Sequence, residues 1–134
     1  MALPKIPDRT QEILGKGENP IPALRSGLKL LDNAGVDIAA ITCNTAHYFL
    51  PKLQSEISMP IINMIEYLAV MLERDQIHHV GLLATDGTIQ THLYEQYLKP
   101  HGITVNIPTK ENQAKVMKTI YGKNGIKAGN IDKK

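Results

Sequence analysis

The stretch VDIAAITCNTAH, residues 36–47, indicates most clearly how this 134-residue chain folds. Residues 36–42 form a short apolar run of the length that suits a buried β-strand. From Cys43 onward the sequence turns polar, with Asn44 and Thr45 next, which indicates that the strand ends and that a turn and a helix follow. The stretch therefore predicts a strand–turn–helix unit with polar groups at the carboxyl end of the strand.

Helices and strands alternate on both sides of this stretch. Leucines recur at helical spacing in residues 22–35 and predict an amphipathic helix that ends at Gly35. Strands separated by helices of about ten to fifteen residues predict right-handed β–α–β units, and therefore an α/β fold with a parallel sheet and helices on both faces. Residues 1–20 and 125–134 are predicted to be irregular or weakly held, and a break between two halves is predicted near residues 74–78. The other predicted strands are 60–64, 79–85 and 103–107, and the other predicted helices are 45–57 with a bend near Pro51, 65–74, 88–98 and 111–121.

The composition narrows the class of protein. The net charge is +2, from 15 basic and 13 acidic residues, and the basic bias of residues 123–134 is thin. With one Phe and no Trp beside it, this bias does not predict nucleic-acid binding. The apolar stretches are too short to span a bilayer, and the first residues lack the apolar core of a secretory signal. We therefore expect a globular cytoplasmic protein with neither a nucleic acid nor a membrane as a partner.

Two predicted strand ends carry the polar residues that suit a binding site. Residues 42–47 follow the strand at 36–42, and residues 85–88, TDGT, follow the strand at 79–85. Ligands of open parallel sheets bind beyond the carboxyl ends of the strands. Each of these ends also precedes a helix, whose first N–H groups and positive dipole end favour an anion. Both turns are therefore candidates for binding a small anionic ligand.

Cys43 is the one cysteine of the chain. Its sequence position allows two interpretations. A lone cysteine of a cytoplasmic protein is often a small buried apolar residue with no chemical role. A thiol at a strand end before a helix is instead in a position that favours the reactive thiolate. Asn44 and Thr45 would then help to hold a carboxylate. His47 would either face the same cleft or be a surface or hydrogen-bonded residue of the helix.

The remaining candidates are weaker when each is taken alone. The TDGT turn at 85–88 is explained by helix capping through Asp86 or Thr88 as readily as by anion binding. Arg9 and Lys127 are of the residue types that usually lie at a solvated surface, and their spacing does not place them in a cleft. No histidine or carboxylate spacing predicts a metal site, and the other histidines are expected at the surface: His78, His79, His92 and His101.

Taken together, four segments resemble the aspartate/glutamate racemase family, and they occur in the family's order. ITCNTAH at 41–47 is similar to the first cysteine motif of the family, and GLLATDGT at 81–88, with Tyr94 after it, to the opening of its second domain. PDRT at 7–10 is similar to the segment that bears a substrate-binding arginine. The segments similar to the one that bears the family's lysine are IYG at 120–122 and GIKAG at 125–129.

The resemblance implies a fold, an activity and roles for particular residues. The family has two similar α/β domains around a cleft, usually forms a dimer, and uses neither pyridoxal phosphate nor another cofactor. Two cysteines on opposite faces of the substrate α-carbon take up and donate the proton, so Cys43 would be one catalytic acid/base. The implied substrate-binding residues, which hold the carboxylates or add positive charge, are Arg9, Asn44, Thr45, Thr85, Thr88 and Lys127.

The chain departs from the family at both ends. Family members begin with a strand and a glycine-rich turn that lie upstream of the part matched here, and their second cysteine, in a Gly-Cys-Thr motif, lies downstream. We therefore expect a chain truncated at both ends, with part of the first racemase domain in residues 1–75 and part of the second in residues 76–134.

Three functions remain open on the sequence. The first is an aspartate- or glutamate-type amino-acid racemase, impaired in this chain because only one proton-transferring thiol is present. The second is a non-catalytic module that binds a small dicarboxylate or pairs with another subunit, including a second copy of itself. The third, a cysteine hydrolase that uses Cys43 and His47, is weaker because no residue to orient the histidine is identifiable.

Overall fold

The strands lie in two separate parallel pairs. The structure, a computed structural model, describes residues 5–129. In it β1 (Ala39–Ala40) pairs with β2 (Ile61–Ile62), and β3 (His79–Gly81) pairs with β4 (Thr104–Asn106). The parallel direction is as predicted, and the strands form two sheets, since no ladder joins the two pairs among the described residues. The strands are also shorter than predicted, because each has one partner and is hydrogen-bonded only where that partner runs beside it.

The helices follow the predicted alternation with strands. The α-helices of residues 5–129 are α1 (Arg9–Ile13), α2 (Ile21–Asn33), α3 (Leu50–Gln54), α4 (Met64–Arg74), α5 (Asp86–Gln90), α6 (Leu93–Leu98) and α7 (Lys110–Tyr121). Short 3₁₀ segments cover Asn44–Phe49, Lys99–His101 and Ile126–Ala128.

The helix predicted from the leucine repeat is present as α2. Its Leu24 and Leu28 are buried, whereas Leu31, which belongs to the same repeat, is 42% exposed. The helix ends at Asn33 with Ala34 as its C-cap, and Gly35 follows with φ of +72°, a left-handed conformation that glycine adopts without a steric penalty. The sequence thus predicted both the buried face of the first turns and the residue that stops the helix.

Two predicted helices are interrupted. The segment predicted as a helix at 45–57 begins as the 3₁₀ segment Asn44–Phe49 and becomes α-helical at Leu50, next to Pro51, which confirms the predicted bend. The segment predicted at 88–98 is divided into α5 and α6, because His92 adopts a left-handed conformation with φ of +51°. Nothing in the local sequence indicated that second break.

The prediction that residues 1–20 are irregular is wrong for residues 9–13. Asp8 accepts hydrogen bonds from the backbone N–H groups of Thr10 and Gln11, and these bonds start α1. The capping pattern is visible in the sequence at 8–11, but α1 is a single turn and has no apolar repeat. Its contacts with other parts of the chain stabilise it instead.

The buried apolar side chains form two clusters. The first is built from α2, the 3₁₀ segment Asn44–Phe49, α3 and the pair β1–β2. The second is built from α4 and α6, with Ile103 and the partly buried Val80 and Val105. Helices α1 and α5 and the 3₁₀ segment Asn44–Phe49 contact one another, and they bring the two predicted polar turns together.

Candidate active site

The two polar turns and both ends of the described chain surround one cavity of about 300 Å³. The turn after β1 contributes one wall, and the turn after β3 contributes another. The segment around α1 and the segment after α7 close it from the two remaining sides. All the residues to which the family resemblance assigned a catalytic or substrate-binding role line this cavity: Arg9, Cys43, Asn44, Thr45, Thr85, Thr88 and Lys127.

Cys43 lies at the boundary between the core and the cavity. It has an extended backbone, with φ of −153° and ψ of 109°, and it is the residue that precedes the 3₁₀ segment Asn44–Phe49. The side chain is half-buried, packs against the first apolar cluster and lines the cavity. Cys43 is therefore not sealed inside apolar packing.

Four threonine hydroxyls form a connected network at the cavity floor. Thr10 donates to Thr85 at 3.0 Å between the Oγ1 atoms. The Oγ1 atom of Thr45 lies 2.9 Å from that of Thr88 and 3.2 Å from that of Thr85. Thr45 and Thr88 are only 7% and 1% exposed and their hydroxyls bond to each other, whereas Thr85 is only partly buried.

A second network joins the two ends of the described chain. The Asp8 carboxylate accepts from the Lys127 Nζ at 2.8 Å and from the Tyr121 hydroxyl at 3.0 Å. The Lys127 ammonium also contacts the Tyr121 hydroxyl at 3.0 Å and lies 4.3 Å from the centre of the Tyr121 ring. Sequence reasoning missed Asp8 and Tyr121 as site residues, although both stand inside segments that it singled out.

The charges of this network stabilise each other. Burial alone would raise the pKa of Asp8, but hydrogen bonds from Lys127, Gln11 and Tyr121 outweigh it and hold that pKa below its ordinary value. Burial alone would lower the pKa of Lys127, but its bonds to Asp8 and Tyr121 outweigh it and raise that pKa. Lys127 is therefore held as an ammonium ion, which is the wrong form for a base that takes up a proton.

Arg9 supplies positive charge that no carboxylate of the described residues neutralises. Its Nη1 donates to the backbone carbonyl of Pro7 at 2.8 Å and approaches that of Ile6 at 3.4 Å. The carbonyls fix the guanidinium without cancelling its charge. Two cations, Arg9 and Lys127, and one carboxylate, Asp8, leave the described lining of the cavity with one net positive charge. Such a cavity favours an anionic ligand.

His47 does not reach the cavity, which corrects the expectation that it could face the cleft. Its side chain is fully buried, with Nδ1 2.9 Å from the carbonyl of Cys43 and Nε2 3.2 Å from the backbone N of Met64. A carbonyl can only accept and an N–H can only donate, so Nδ1 carries the hydrogen and Nε2 accepts. Neither nitrogen is available to the Cys43 thiol, and the hydrolase interpretation loses its base.

Tyr94 also lines the cavity, and burial raises the pKa of its hydroxyl, so the phenol stays neutral. No cluster of three or more His, Cys, Asp or Glu side chains in residues 5–129 could hold a metal ion. In the same part of the chain, no helix has the length and apolar character needed to cross a membrane.

Comparison with known proteins adds independent findings. The family model described as Asp/Glu/hydantoin racemase matches residues 1–133. The chain is 32% identical over 80 residues to a broad specificity amino-acid racemase of Bacillus subtilis, which covers 60% of this chain and 35% of that protein. It is 32% identical over 77 residues to the glutamate racemase of Aquifex pyrophilus, which covers 56% of this chain and 30% of that protein.

Two solved structures are similar to this one over most of its length. The aspartate racemase of Picrophilus torridus matches with a TM-score of 0.78 and 32% identity over 88% of this chain and 49% of its own. An aspartate racemase homologue from Pyrococcus horikoshii matches with a TM-score of 0.68 and 25% identity over 84% of this chain and 49% of its own. The chain thus spans about half the length of these structures and about a third of the length of the curated relatives.

Proposed function

The chain belongs to the Asp/Glu/hydantoin racemase family, and we propose that it binds aspartate or glutamate and moves the proton on the α-carbon. The observation that carries the proposal is the shared cavity. It brings a half-buried thiol, an arginine that pairs with no carboxylate of the described residues, and several hydroxyls together, although they come from distant parts of the sequence. The relatives named as glutamate and aspartate racemases support a dicarboxylic amino acid as the substrate.

Cys43 is the proposed acid/base. Its thiolate takes the α-proton of the bound amino acid and returns a proton to the same carbon. The α-proton of an amino acid is only weakly acidic, so the negative charge that develops as it leaves needs preorganised stabilisation. Arg9, Asn44 and Thr85 line the cavity with groups that can donate hydrogen bonds to carboxylates. Lys127, through its ammonium, adds a further positive charge.

We further propose that the reaction proceeds without pyridoxal phosphate. A lysine that forms a Schiff base needs a neutral amine. Among the described residues, Lys127 is the lysine that lines the cavity, and its bonds to Asp8 and Tyr121 favour the charged form. Stabilisation of the carbanion then comes from charge and hydrogen bonds.

The activity proposed for these 134 residues is restricted to one face of the substrate. Inversion requires a proton donor on each face of the α-carbon, and the sequence contains one cysteine. The chain by itself is therefore expected to exchange the α-proton with solvent much faster than it converts one enantiomer into the other.

Exchange of the α-proton in D₂O tests this proposal. The chain is incubated with L-aspartate or L-glutamate, and the loss of the α-proton signal is followed by NMR. We expect exchange with the wild-type chain and none above background with Cys43→Ala, while Cys43→Ser controls for the volume lost in the alanine variant. Exchange at the same rate in Cys43→Ala would exclude Cys43 as the base.

A second candidate, a module that binds a dicarboxylate without chemistry, is favoured by one observation. Thr45 and Thr88 satisfy each other, and Arg9 is fixed by carbonyls, so the anion-binding part of the cavity is formed without the thiol. Calorimetry with L-aspartate separates the two functions. Binding with no α-proton exchange supports the module, and binding accompanied by exchange supports the enzyme.

A further inference from the structure

Thr10 is a polar residue of α1 to which the proposed function gives no role. Its side chain is 2% exposed, and its hydroxyl donates to the Oγ1 of Thr85 at 3.0 Å. The two residues are 75 positions apart in the sequence. This bond therefore joins the segment that carries Arg9 to the turn after β3.

The donors and acceptors of the network leave the hydrogen of Thr85 available. Thr45 and Thr88 are 2.9 Å apart, a normal length for a bond between hydroxyls. The distances from Thr85 to Thr45 and Thr88 are longer, 3.2 Å and 3.3 Å, so these are weak bonds. Because a hydroxyl has one hydrogen and two lone pairs, Thr85 accepts from Thr10 and can still donate. Thr45, Thr85 and Thr88 all line the cavity, and Thr85 is the least buried of them.

The position of Thr10 is fixed by its surroundings. Its backbone N–H donates to the Asp8 carboxylate, which caps α1. On its other side lies Gly87, where an added Cβ would come within 3.0 Å of the Thr10 Cα and 3.2 Å of its Oγ1. A glycine at this point permits the two backbones to approach closely. The Thr10 hydroxyl is thus held toward Thr85 by both neighbours.

From these contacts we propose that Thr10 is a positioning residue, which orients the Thr85 hydroxyl so that its hydrogen points at a carboxylate in the cavity. Donation from Thr10 occupies one lone pair of the Thr85 oxygen and so limits the directions in which the Thr85 hydrogen can point. A hydroxyl that accepts one bond also becomes a stronger donor in the next. The inference rests on the proposed function, because it assumes that the cavity binds a carboxylate.

Calorimetry of the full chain with L-aspartate, and with succinate as a dicarboxylate that lacks the amino group, tests the inference. Thr10→Val removes the hydroxyl at nearly constant shape, and we expect the dissociation constant to rise about three- to tenfold, as for one lost hydrogen bond. Thr10→Ser keeps the hydroxyl and should bind within about twofold of the wild type. If Thr10→Val does not fold, as judged by circular dichroism, Thr10→Ala takes its place against Thr10→Ser.

A double-mutant cycle with Thr85→Val separates positioning from a general structural role. If Thr10 acts through Thr85, then Thr10→Val has no further effect in a Thr85→Val background. An equal loss of affinity in both backgrounds, or a Thr10→Val chain that binds like the wild type, overturns the inference and leaves the proposed function standing. A wild-type chain that binds neither L-aspartate nor succinate overturns both.

Discussion

At the scale of single residues, Asp8 and Lys127 form an ion pair in the cavity wall. The pKa of Asp8 is lowered and that of Lys127 is raised, mainly by the bonds that outweigh burial, so both are charged at neutral pH. A carboxylate whose pKa is lowered by folding stabilises the fold at any pH above its ordinary pKa. This stabilisation is lost as the pH falls through the pKa of the carboxylate in the folded protein. A lysine whose pKa is raised by folding stabilises the fold at any pH below its ordinary pKa. This stabilisation is lost as the pH rises through the pKa of the lysine in the folded protein. The pair therefore stabilises the fold fully between roughly pH 4 and roughly pH 10.

Asp8→Asn should reduce the acid sensitivity of the fold. Asn caps a helix about as well as Asp, so this variant keeps the start of α1 but loses the charge and the carboxylate oxygen that accepts from Lys127. We expect urea unfolding to give a free energy that falls less steeply between pH 5 and pH 2 than in the wild type. Asp8→Ala is the matched control, which should lose about 1 kcal/mol more than Asp8→Asn because the cap is lost as well. If the free energy of unfolding falls equally steeply for the wild type and Asp8→Asn, then Asp8 does not cause the loss of stability in acid.

The sequence predicted which residues meet at the cavity better than it predicted their partners. Motif order identified Arg9, Cys43 and Lys127, which all line it. The bond from Lys127 to Asp8 joins residues 119 positions apart, and no local pattern encodes such a contact. Tyr121 belongs to the IYG segment that resembles the family, but its hydrogen bond to Asp8 forms only when the chain is folded.

At the scale of elements, periodicity predicted the longer helices, and packing determined the rest. Helix α4 begins at Met64, one residue before the prediction, and α7 begins at Lys110, also one residue before it. The predicted strands reduce to two or three residues, because a ladder depends on a neighbouring strand and not on the apolar run alone. Helix α1 was missed because one turn is too short to show a period.

The contact between α1 and α5 predicts opposite effects for two glycine substitutions. Gly87→Ala adds a Cβ at 3.0 Å from the backbone of Thr10, and the overpacking should destabilise the fold by about 1–3 kcal/mol. The higher helix propensity of alanine offsets up to about 1 kcal/mol of this loss. Gly27→Ala in α2 meets no atom within 4 Å and should raise stability by up to about 1 kcal/mol. Thermal unfolding measures both, and equal stabilisation by the two variants would show that α1 does not pack tightly on α5.

At the scale of the whole molecule, two strand pairs and two apolar clusters meet around one cavity. The predicted α/β class with parallel strands is confirmed, and two of the structures that match it are an aspartate racemase and a homologue of one. The division into residues 1–75 and 76–134, the homodimer and the cytoplasmic location stay predictions. The parallel pairing follows from local alternation of strands and helices, whereas the number of strands in a sheet depends on which strands lie side by side after folding.

The most direct test of Cys43 as the proton-transferring group resolves the label and the handedness in one sample. L-aspartate is incubated with the wild-type chain in D₂O and analysed by chiral chromatography with mass detection. We predict that L-aspartate gains one mass unit while D-aspartate stays at background. With Cys43→Ala, we predict that L-aspartate stays unlabelled. L-aspartate that stays unlabelled with the wild type, or gains label equally with Cys43→Ala, would contradict the proposal that the Cys43 thiolate removes the α-proton.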